Sequence, residues 1–288
     1  MELRKSERKK AKIKMALQGP SGAGKSYSAI LLAQGLTGGD MTKIAVIDSE
    51  NGSADLYSHL GNFNVLQLKN SFSPESYIQA LEICEKAGME VIILDSISQC
   101  WDFLLDFHAS LTGNSFTNWN KVTPRQRAFV DKILQSDTHI IATMRTKQDY
   151  VLNNRDGKFV PEKVGLKAVQ RDGVDYEFTL VFDVDIKHNA TASKDRTGLF
   201  RDKPEFQINA ATGKKILKWC QGPMNQETLE KMVEESLNVN QLTALYNEHL
   251  ELAKSMHQKF IDKKEQLQIL INPKNFSQNG TSNNTGNS

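Results

Sequence analysis

Short apolar runs alternate with stretches of helical character along the first half of the chain. Five of these runs are predicted to be β-strands, at residues 12–17, 43–48, 63–68, 90–95 and 139–143. Two of the stretches between them, residues 26–36 and 74–87, are predicted to be helices. Ser73 is the expected N-cap of the second helix, and Gly88 is expected to end it. Strands that alternate with helices predict an α/β fold with a mostly parallel sheet and helices on both faces.

Residues 146–176 interrupt this pattern, because they contain several glycines, a proline and Asn-Asn and Asp-Gly pairs. A stretch this long with so many breakers is predicted to be a functional or mobile loop. Two extended runs follow, at residues 178–186 and 198–208, and a polar segment at 188–197 connects them. This arrangement predicts an antiparallel edge on the sheet.

The last part of the chain is helical and polar, with predicted helices at residues 225–237 and 239–267. The second helix carries an apolar stripe at spacings of three and four, formed by Leu242, Leu245, Tyr246, His249, Ala253, Met256 and Phe260. Such a stripe either packs back on the domain or binds a partner or a second copy. The tail from Asn272 holds six asparagines and one charge, and we expect it to be disordered. The chain is therefore predicted to contain a basic arm (1–11), a core (12–220), a helical region (221–271) and this tail (272–288).

Composition narrows the class of protein. The hydrophobic and charged fractions, 39% and 24%, are ordinary for a soluble globular protein. No apolar run approaches the roughly 18 residues of a membrane helix, and the N-terminus is too basic for a secretory signal. Three cysteines without C-x-x-C spacing fit a reducing cytosol. We expect a cytoplasmic protein without membrane contact.

Seven of the first fourteen residues are basic, as in nucleic-acid-binding arms and also in solvated termini.

The most informative motif is G-x-x-x-x-G-K-S at residues 19–26, between a predicted strand and a predicted helix. Glycines let backbone N–H groups surround phosphate oxygens, and the helix N-terminus adds positive charge. Lys25 would contact the β- and γ-phosphates, and the Ser26 hydroxyl would ligate Mg²⁺. The motif predicts ATP and Mg²⁺ as cofactors, held by Gly19, Pro20, Ser21, Gly22, Ala23, Gly24, Lys25, Ser26 and Tyr27.

Two acids at strand ends are candidates for the chemistry. Asp95 ends an apolar strand and is predicted to hold Mg²⁺, although a carboxylate there could instead cap the next helix. Glu50 lies two residues beyond Asp48 and could either polarise an attacking water or be a surface acid. The chain has room for two further strands between Lys25 and Asp95. An inserted strand between the P-loop strand and the strand of the metal-binding acid is typical of the ATPase branch of P-loop proteins.

Residues 46–57 resemble the segment that follows the second core strand of RecA recombinases, and residues 79–84 and 91–96 resemble later parts of the same family. The resemblance covers roughly residues 13–100. It implies a RecA-type P-loop NTPase core with Glu50 as the catalytic glutamate. RecA has a glutamine that senses the γ-phosphate after the strand equivalent to residues 139–143. This chain differs there, and Thr143 or Arg145 could replace that glutamine.

Residues 119–124, 142–145 and 164–173 resemble a phage-encoded family of RecA-like ATPases. Members of that family are core-only relatives of recombinases, and some are thought to act in single-strand annealing or recombination. Residues 193–198 resemble the Lys-x-Arg loop that RecA-like and hexameric-helicase ATPases present to the nucleotide of the next subunit. That resemblance implies a catalytic role in trans for Lys194 and Arg196, and hence a ring or filament. A charged hairpin tip in water is the alternative.

The RecA arrangement also implies two loops that bind single strands, near residues 112–127 and 146–176. Basic side chains there would neutralise phosphates, and aromatic rings would stack on unpaired bases. The candidate nucleic-acid residues are Trp119, Lys121, Arg125, Lys158, Lys163, Lys167 and Arg171.

These features and resemblances together imply a Mg²⁺-dependent ATPase that acts on single-stranded DNA in phage recombination or replication, in the cytoplasm of a bacterial host. The expected partners are single-stranded DNA, further copies of the same chain and a single-strand-binding protein. A DNA translocase or helicase-type motor would share every motif named above. A P-loop kinase and an ATP-gated binding module are further alternatives.

Overall fold

The computed structural model describes residues 11–69, 71–155, 158–222 and 224–271, without the side chains of residues 148–155, 158–165, 270 and 271. The predicted basic arm, apart from Ala11, and the predicted tail from Asn272 lie outside the described residues. The chain divides into two compact units, Met1–Gln221 and Gly222–Ser288.

Among the described residues of the first unit, nine strands form one sheet. They are β1 (Lys14–Gly19), β2 (Ile44–Asp48), β3 (Asn64–Gln67), β4 (Val91–Asp95), β5 (His139–Arg155), β6 (Lys158–Ala168), β7 (Leu180–Val184), β8 (Asn189–Asp195) and β9 (Phe206–Gln207). The order across the sheet is β3-β2-β4-β5-β1-β7-β8-β9, and β6 pairs with β5 outside this path. The described part of this unit also contains five helices: α1 (Lys25–Leu36), α2 (Pro74–Lys86), α3 (Ser98–Ser110), α4 (Ser115–Gln135) and α5 (Ala210–Cys220).

The centre of the sheet is parallel. Strand β1 pairs in parallel with β5 on one side and β7 on the other, and β4 pairs in parallel with β2 and β5. The predicted α/β class and mostly parallel sheet are therefore confirmed. The strand between β1 and β4 is β5, which follows both of them in the chain.

Apolar side chains on the two faces of the sheet form two cores, because successive residues of a strand point to opposite faces. Ile92 and Leu94 of β4 belong to a cluster with residues of α2, α3 and α4. Val91 and Ile93 belong to a second cluster, which includes residues of α1 and α5. The helices therefore cover both faces, and β2 and β4 are buried along their whole length.

Helices α1 and α5 approach each other through two glycines. A Cβ atom added at Gly35 would lie 2.1 Å from the carbonyl oxygen of Ala210, and one at Gly213 would lie 2.2 Å from that of Leu32. No side chain fits at such distances, so the contact requires glycine on both helices.

The predicted loop at residues 146–176 is wrong over most of its length. Residues 146–155 of β5 pair antiparallel with residues 158–168 of β6, and a short 3₁₀ helix, Val174–Tyr176, follows. Asp-Gly is a preferred hairpin dipeptide, and residues 156 and 157 themselves lie outside the described residues. Pro161 is compatible with an edge strand, and among the described residues β6 pairs only with β5.

The predicted polar connector at residues 188–197 is also largely a strand. Strand β8 pairs with β7, and Ala190 is fully buried while its neighbours are polar and more exposed. The polar composition of this segment led to the prediction of a connector, because an edge strand needs only a few apolar positions. The predicted strand at residues 198–208 is reduced to the two residues of β9. The predicted antiparallel edge itself is present, as β7-β8-β9.

The predicted nucleic-acid loop at residues 112–127 is instead the first half of α4. Asn114 caps this helix by accepting a hydrogen bond from the backbone N–H of Phe116. Val122 and Phe129 are buried at helical spacing and fix the helix against the core.

The second unit contains α6 (Gln226–Glu234), α7 (Val239–Glu248), α8 (Leu250–Ser255) and α9 (His257–Ile271). The single helix predicted at residues 239–267 is therefore three helices, with breaks at His249 and Met256, whose φ angles of −121° and −118° are not helical. Most of the predicted stripe is buried within this unit, together with Leu229, Val233 and Leu267. Among the helices of the described residues, none has the length and apolar character needed to cross a bilayer.

Candidate nucleotide-binding site

The loop at residues 19–26 connects β1 to α1 and adopts an anion-binding conformation. Gly22 and Gly24 have φ angles of 81° and 83°, in the left-handed region that favours glycine. No side chain caps the start of α1, so the N–H groups of its first turn are directed to the space in front of the loop. Lys25 Nζ donates to the carbonyl oxygen of Pro20 at 2.8 Å. Burial lowers the pKa of Lys25, which Asp95 and Glu50 partly oppose.

Asp95 lies at the end of β4 behind this loop and is 3% exposed. Burial raises the pKa of its carboxyl group, whereas hydrogen bonds from Ser26 and Thr143 lower it. The Thr143 hydroxyl donates to Asp95 Oδ1 at 2.5 Å. A hydroxyl and a carboxylate beside a phosphate loop are the hard oxygen donors that Mg²⁺ prefers, and such sites use few protein ligands. The described residues contain no cluster of three or more His, Cys, Asp or Glu side chains suited to a metal. The donor set therefore fits Mg²⁺ bound together with phosphate.

Glu50 is the acid from the end of β2 that lines the same cleft. Asp48 does not compete for this role, because its carboxylate accepts hydrogen bonds from the backbone N–H groups of Glu50 (2.6 Å) and Ala54 (3.1 Å) and so fixes the turn. Glu50 Oε1 accepts a hydrogen bond from Ser96 Oγ at 2.9 Å.

Arg145 forms a bidentate ion pair with Glu50. Its Nε donates to Oε1 at 3.0 Å, and its Nη2 donates to Oε2 at 2.7 Å. Partial burial raises the pKa of Glu50, but the hydrogen bonds from Arg145 and Ser96 and the positive charges of Arg145 and Lys25 together outweigh it, and the pKa lies below its usual value. Thr143 and Arg145 thus have different surroundings: Thr143 is fully buried against Asp95, and Arg145 lines the cleft.

The cleft has a volume of about 600 Å³ and is also lined by residues outside the motifs predicted from the sequence. Tyr57 contacts Tyr27 edge-to-face with ring centroids 6.0 Å apart. His188, from the turn between β7 and β8, holds its Nδ1 3.1 Å from the carbonyl oxygen of Ala23. Gln207 and Ile208 contribute from β9 and beyond. Tyr57 lies in the segment that resembles RecA, but nothing in the local sequence marks His188 or Gln207.

Lys194 and Arg196 lie far from this cleft. The turn before β8 contacts the P-loop through His188. The other end of β8 lies at the start of β7, where Asp195 is paired with Leu180. Seven residues of strand at about 3.3 Å each separate the two ends by roughly 20 Å. Lys194 Nζ donates to the carbonyl oxygen of Tyr176, and Arg196 Nη2 approaches the same oxygen at 3.4 Å. Neither side chain reaches the nucleotide cleft of its own subunit.

The predicted nucleic-acid residues are only partly brought together. Trp119 stacks on His108, with centroids 4.3 Å apart, and on Trp101 at 6.1 Å. A groove of about 550 Å³ is lined by both tryptophans together with Lys147, Lys167 and Arg171, among others. Lys167 also pairs with Asp172 at 2.8 Å.

The remaining candidates lie elsewhere or are not described. Arg125 forms a bidentate ion pair with Glu75 at 2.8 and 2.7 Å and stacks over Phe103 and Phe107. Lys121 is exposed on α4 and does not line the groove. Lys158 and Lys163 have their backbones in β6, but their side chains lie outside the described part of the chain.

A family model described as an AAA domain matches residues 11–213, which include the P-loop, Glu50, Asp95 and Arg145. The chain belongs to this AAA domain family. The AAA domain accounts for almost the whole first unit, and the helical unit from Gly222 lies beyond the match. No curated protein matches the sequence. Solved structures with a similar chain include a KaiC-like protein of the hyperthermophilic archaeon Pyrococcus horikoshii OT3, at 14% identity and a TM-score of 0.39 over 69% of this chain and 86% of that chain.

Proposed function

We propose that this AAA domain protein binds ATP with Mg²⁺ and hydrolyses it to ADP and phosphate. One observation carries the proposal: Lys25 and Ser26 from α1, Asp95 from β4 and Glu50 from the turn after β2 line one cleft in front of the glycine-rich loop. These residues come from three separate segments of the chain, and the fold brings together a cation, a metal-binding pair and a carboxylate.

Each residue has a distinct role in this reaction. The loop N–H groups and Lys25 would hold the phosphates, and Ser26 and Asp95 would hold Mg²⁺, which neutralises charge on the phosphoryl oxygens. Glu50 would accept a proton from a water molecule as its oxygen attacks the γ-phosphorus and the bond from that phosphorus to the bridging oxygen of ADP breaks. The ring of Tyr57 at the side of the cleft offers a surface for the nucleobase.

The groove lined by Trp101 and Trp119 favours single-stranded DNA as a partner. Two tryptophans beside Lys147, Lys167 and Arg171 combine stacking surfaces with positive charge, which is the chemistry that single strands require. Asp102 and Asp172 also line this groove and reduce its charge. The resemblance to phage-encoded RecA-like ATPases supports a role in phage recombination or replication, with a single-strand-binding protein as a further partner.

Assembly into a ring or filament would give Lys194 and Arg196 their role. Because neither residue reaches its own cleft, both could act only on the nucleotide of a neighbouring copy, where they would stabilise charge in the transition state. Mixing Lys25→Ala subunits with Arg196→Ala subunits tests this idea. Recovery of phosphate release in the mixture, from two variants inactive alone, is the expected result; no recovery would count against action in trans.

Phosphate release from MgATP tests the hydrolase proposal. We expect release by the wild-type protein, its loss on chelation of Mg²⁺, and losses of at least about 10²-fold in Lys25→Ala and Glu50→Gln. Normal hydrolysis by Lys25→Ala would reject the site.

One observation favours a second candidate, an ATP-gated binding module: Glu50 is already paired with Arg145. Tight ATP binding with no phosphate release, with and without DNA, would select it.

A further inference from the structure

Arg145 binds both carboxylate oxygens of Glu50, the candidate general base. Nε and Nη2 of Arg145 donate to Oε1 and Oε2, and Ser96 Oγ donates to Oε1 as well. A general base must accept a proton from water along a free direction, and its negative charge provides the driving force. A guanidinium that binds both oxygens neutralises that charge and fixes the orientation of the carboxylate.

The backbone of Arg145 is held on both sides, so only its side chain is free to change position. Its N–H donates to Ser98 Oγ at 2.9 Å, and its carbonyl oxygen accepts from the N–H of Val169 at 2.7 Å. The side chain itself is 41% exposed and lines the cleft together with Lys25. A rotamer change moves a guanidinium by several ångströms without any change in the backbone.

A terminal phosphate would be a stronger partner for Arg145 than Glu50 is. The ion pair has bidentate geometry, but it joins only single charges and is partly exposed, at 41% for Arg145 and 27% for Glu50, so solvent screens it. A γ-phosphate carries more charge, offers several acceptor oxygens and suits the planar fork of a guanidinium. A nucleoside diphosphate lacks that group, so it would leave the ion pair intact.

We propose that Glu50 and the γ-phosphate of a bound nucleotide compete for Arg145, so that Arg145 restrains Glu50 until a triphosphate is present. The inference rests on the proposed nucleotide site and deepens it: Arg145 is a positioning residue that links triphosphate recognition to release of the base. A bound nucleoside diphosphate would then leave Glu50 paired with Arg145, because only a triphosphate removes the guanidinium from the carboxylate.

Calorimetric titration with a non-hydrolysable MgATP analogue and with MgADP tests the competition without relying on hydrolysis. In Glu50→Gln the competitor for Arg145 is weakened, so affinity for the analogue should rise about fivefold while affinity for MgADP stays within about twofold. In Arg145→Gln affinity for the analogue should fall about fivefold, again without an effect on MgADP. In the double variant, Glu50→Gln should have no further effect.

The chain offers a matched control in Arg125 and Glu75, an ion pair of the same bidentate geometry that lies outside the cleft. Glu75→Gln should leave both affinities unchanged, and circular dichroism should show that all variants are folded. An equal rise for both nucleotides in Glu50→Gln, or a rise that persists without Arg145, would mean simple charge repulsion and would overturn the competition. No effect in either single variant would also overturn it, leaving the nucleotide site in place. If the wild-type protein binds neither nucleotide, the proposed function and this inference are both rejected.

Discussion

The hydroxyl of Thr143 donates a 2.5 Å hydrogen bond to Oδ1 of Asp95, which joins the neighbouring parallel strands β5 and β4 inside the candidate site. Both side chains are almost completely buried. A buried carboxylate is costly unless its hydrogen bonds are satisfied, so this contact stabilises the ionised form of Asp95, which the proposed Mg²⁺ site requires.

Thr143→Val should therefore weaken both stability and metal binding. The buried Asp95 loses a partner, and we expect the free energy of unfolding to fall by about 1–3 kcal/mol. The Mg²⁺ concentration needed for half-maximal nucleotide binding should rise several-fold, because protonated Asp95 becomes more favourable. Urea unfolding and Mg²⁺ titration measure the two effects. Thr143→Ser retains the hydroxyl and should resemble the wild type in Mg²⁺ dependence; if it behaves like the valine variant, the hydrogen bond is not the cause.

Lys25→Met should separate binding from stability. Burial desolvates the lysine and lowers its pKa, so its charge contributes little to the stability of the fold. We expect nucleotide affinity to fall by at least about 10²-fold, with a thermal midpoint equal to or above that of the wild type. Lys43→Met, at the 3₁₀ turn before β2, serves as the control and should bind nucleotide normally. A large loss of thermal stability in Lys25→Met would contradict this separation.

His139 should make the protein sensitive to acid. Burial is the largest of the effects that lower the pKa of His139 to about 3, and its Nδ1 accepts a hydrogen bond from the backbone N–H of Ile13 at 3.1 Å. The unfolded chain binds a proton near pH 6.5 and the folded chain does not, so stability falls as the pH drops from about 6.5 toward 3.

Comparison with His139→Asn isolates this effect, since asparagine retains an acceptor but does not titrate. Between pH 7 and pH 5 the wild-type protein should lose about 2 kcal/mol more unfolding free energy than the variant. Parallel pH profiles for the two proteins would show that His139 binds its proton equally well in the folded and unfolded chains, which would contradict the prediction.

Gly35→Ala should disrupt the contact between α1 and α5. The added Cβ would meet the carbonyl oxygen of Ala210 at 2.1 Å, and backbone cannot yield as a flexible side chain can. We expect a loss of about 2 kcal/mol or more in unfolding free energy, despite the better helix propensity of alanine. Gln34→Ala, one residue earlier on α1, should change stability by less than about 0.5 kcal/mol. Similar behaviour of the two variants would mean that the helices are not closely packed.

Lys147→Gln tests whether the groove lined by Trp101 and Trp119 binds single-stranded DNA. Loss of one phosphate contact should weaken binding of a labelled oligonucleotide and reduce the slope of log affinity against log salt by about 0.7. Lys203→Gln, outside the groove, should leave the slope unchanged. Fluorescence anisotropy across a salt series measures both. An unchanged slope in Lys147→Gln would exclude that lysine from the interface.

The local motifs were predictable because their residues are contiguous. The P-loop requires a fixed spacing of glycines, lysine and serine between a strand and a helix, and the buried runs at β2 and β4 are apolar throughout. Prediction failed where backbone pairing outweighs composition: β8 is a polar edge strand, and the β5–β6 hairpin contains proline and several glycines or asparagines. Hydrogen-bonded ladders form there without the alternation that would have revealed them.

By itself the sequence determined the α/β class, the phosphate-binding loop and the strand-end acids, because short-range periodicity and steric demands of the backbone are written in adjacent residues. Only the tertiary structure decided that Arg145 binds Glu50, that His188 contacts the P-loop, and that Lys194 and Arg196 point away from their own cleft. These relationships join residues far apart in the chain. They depend on strand order and register, which the packing of the whole sheet fixes and no local pattern encodes.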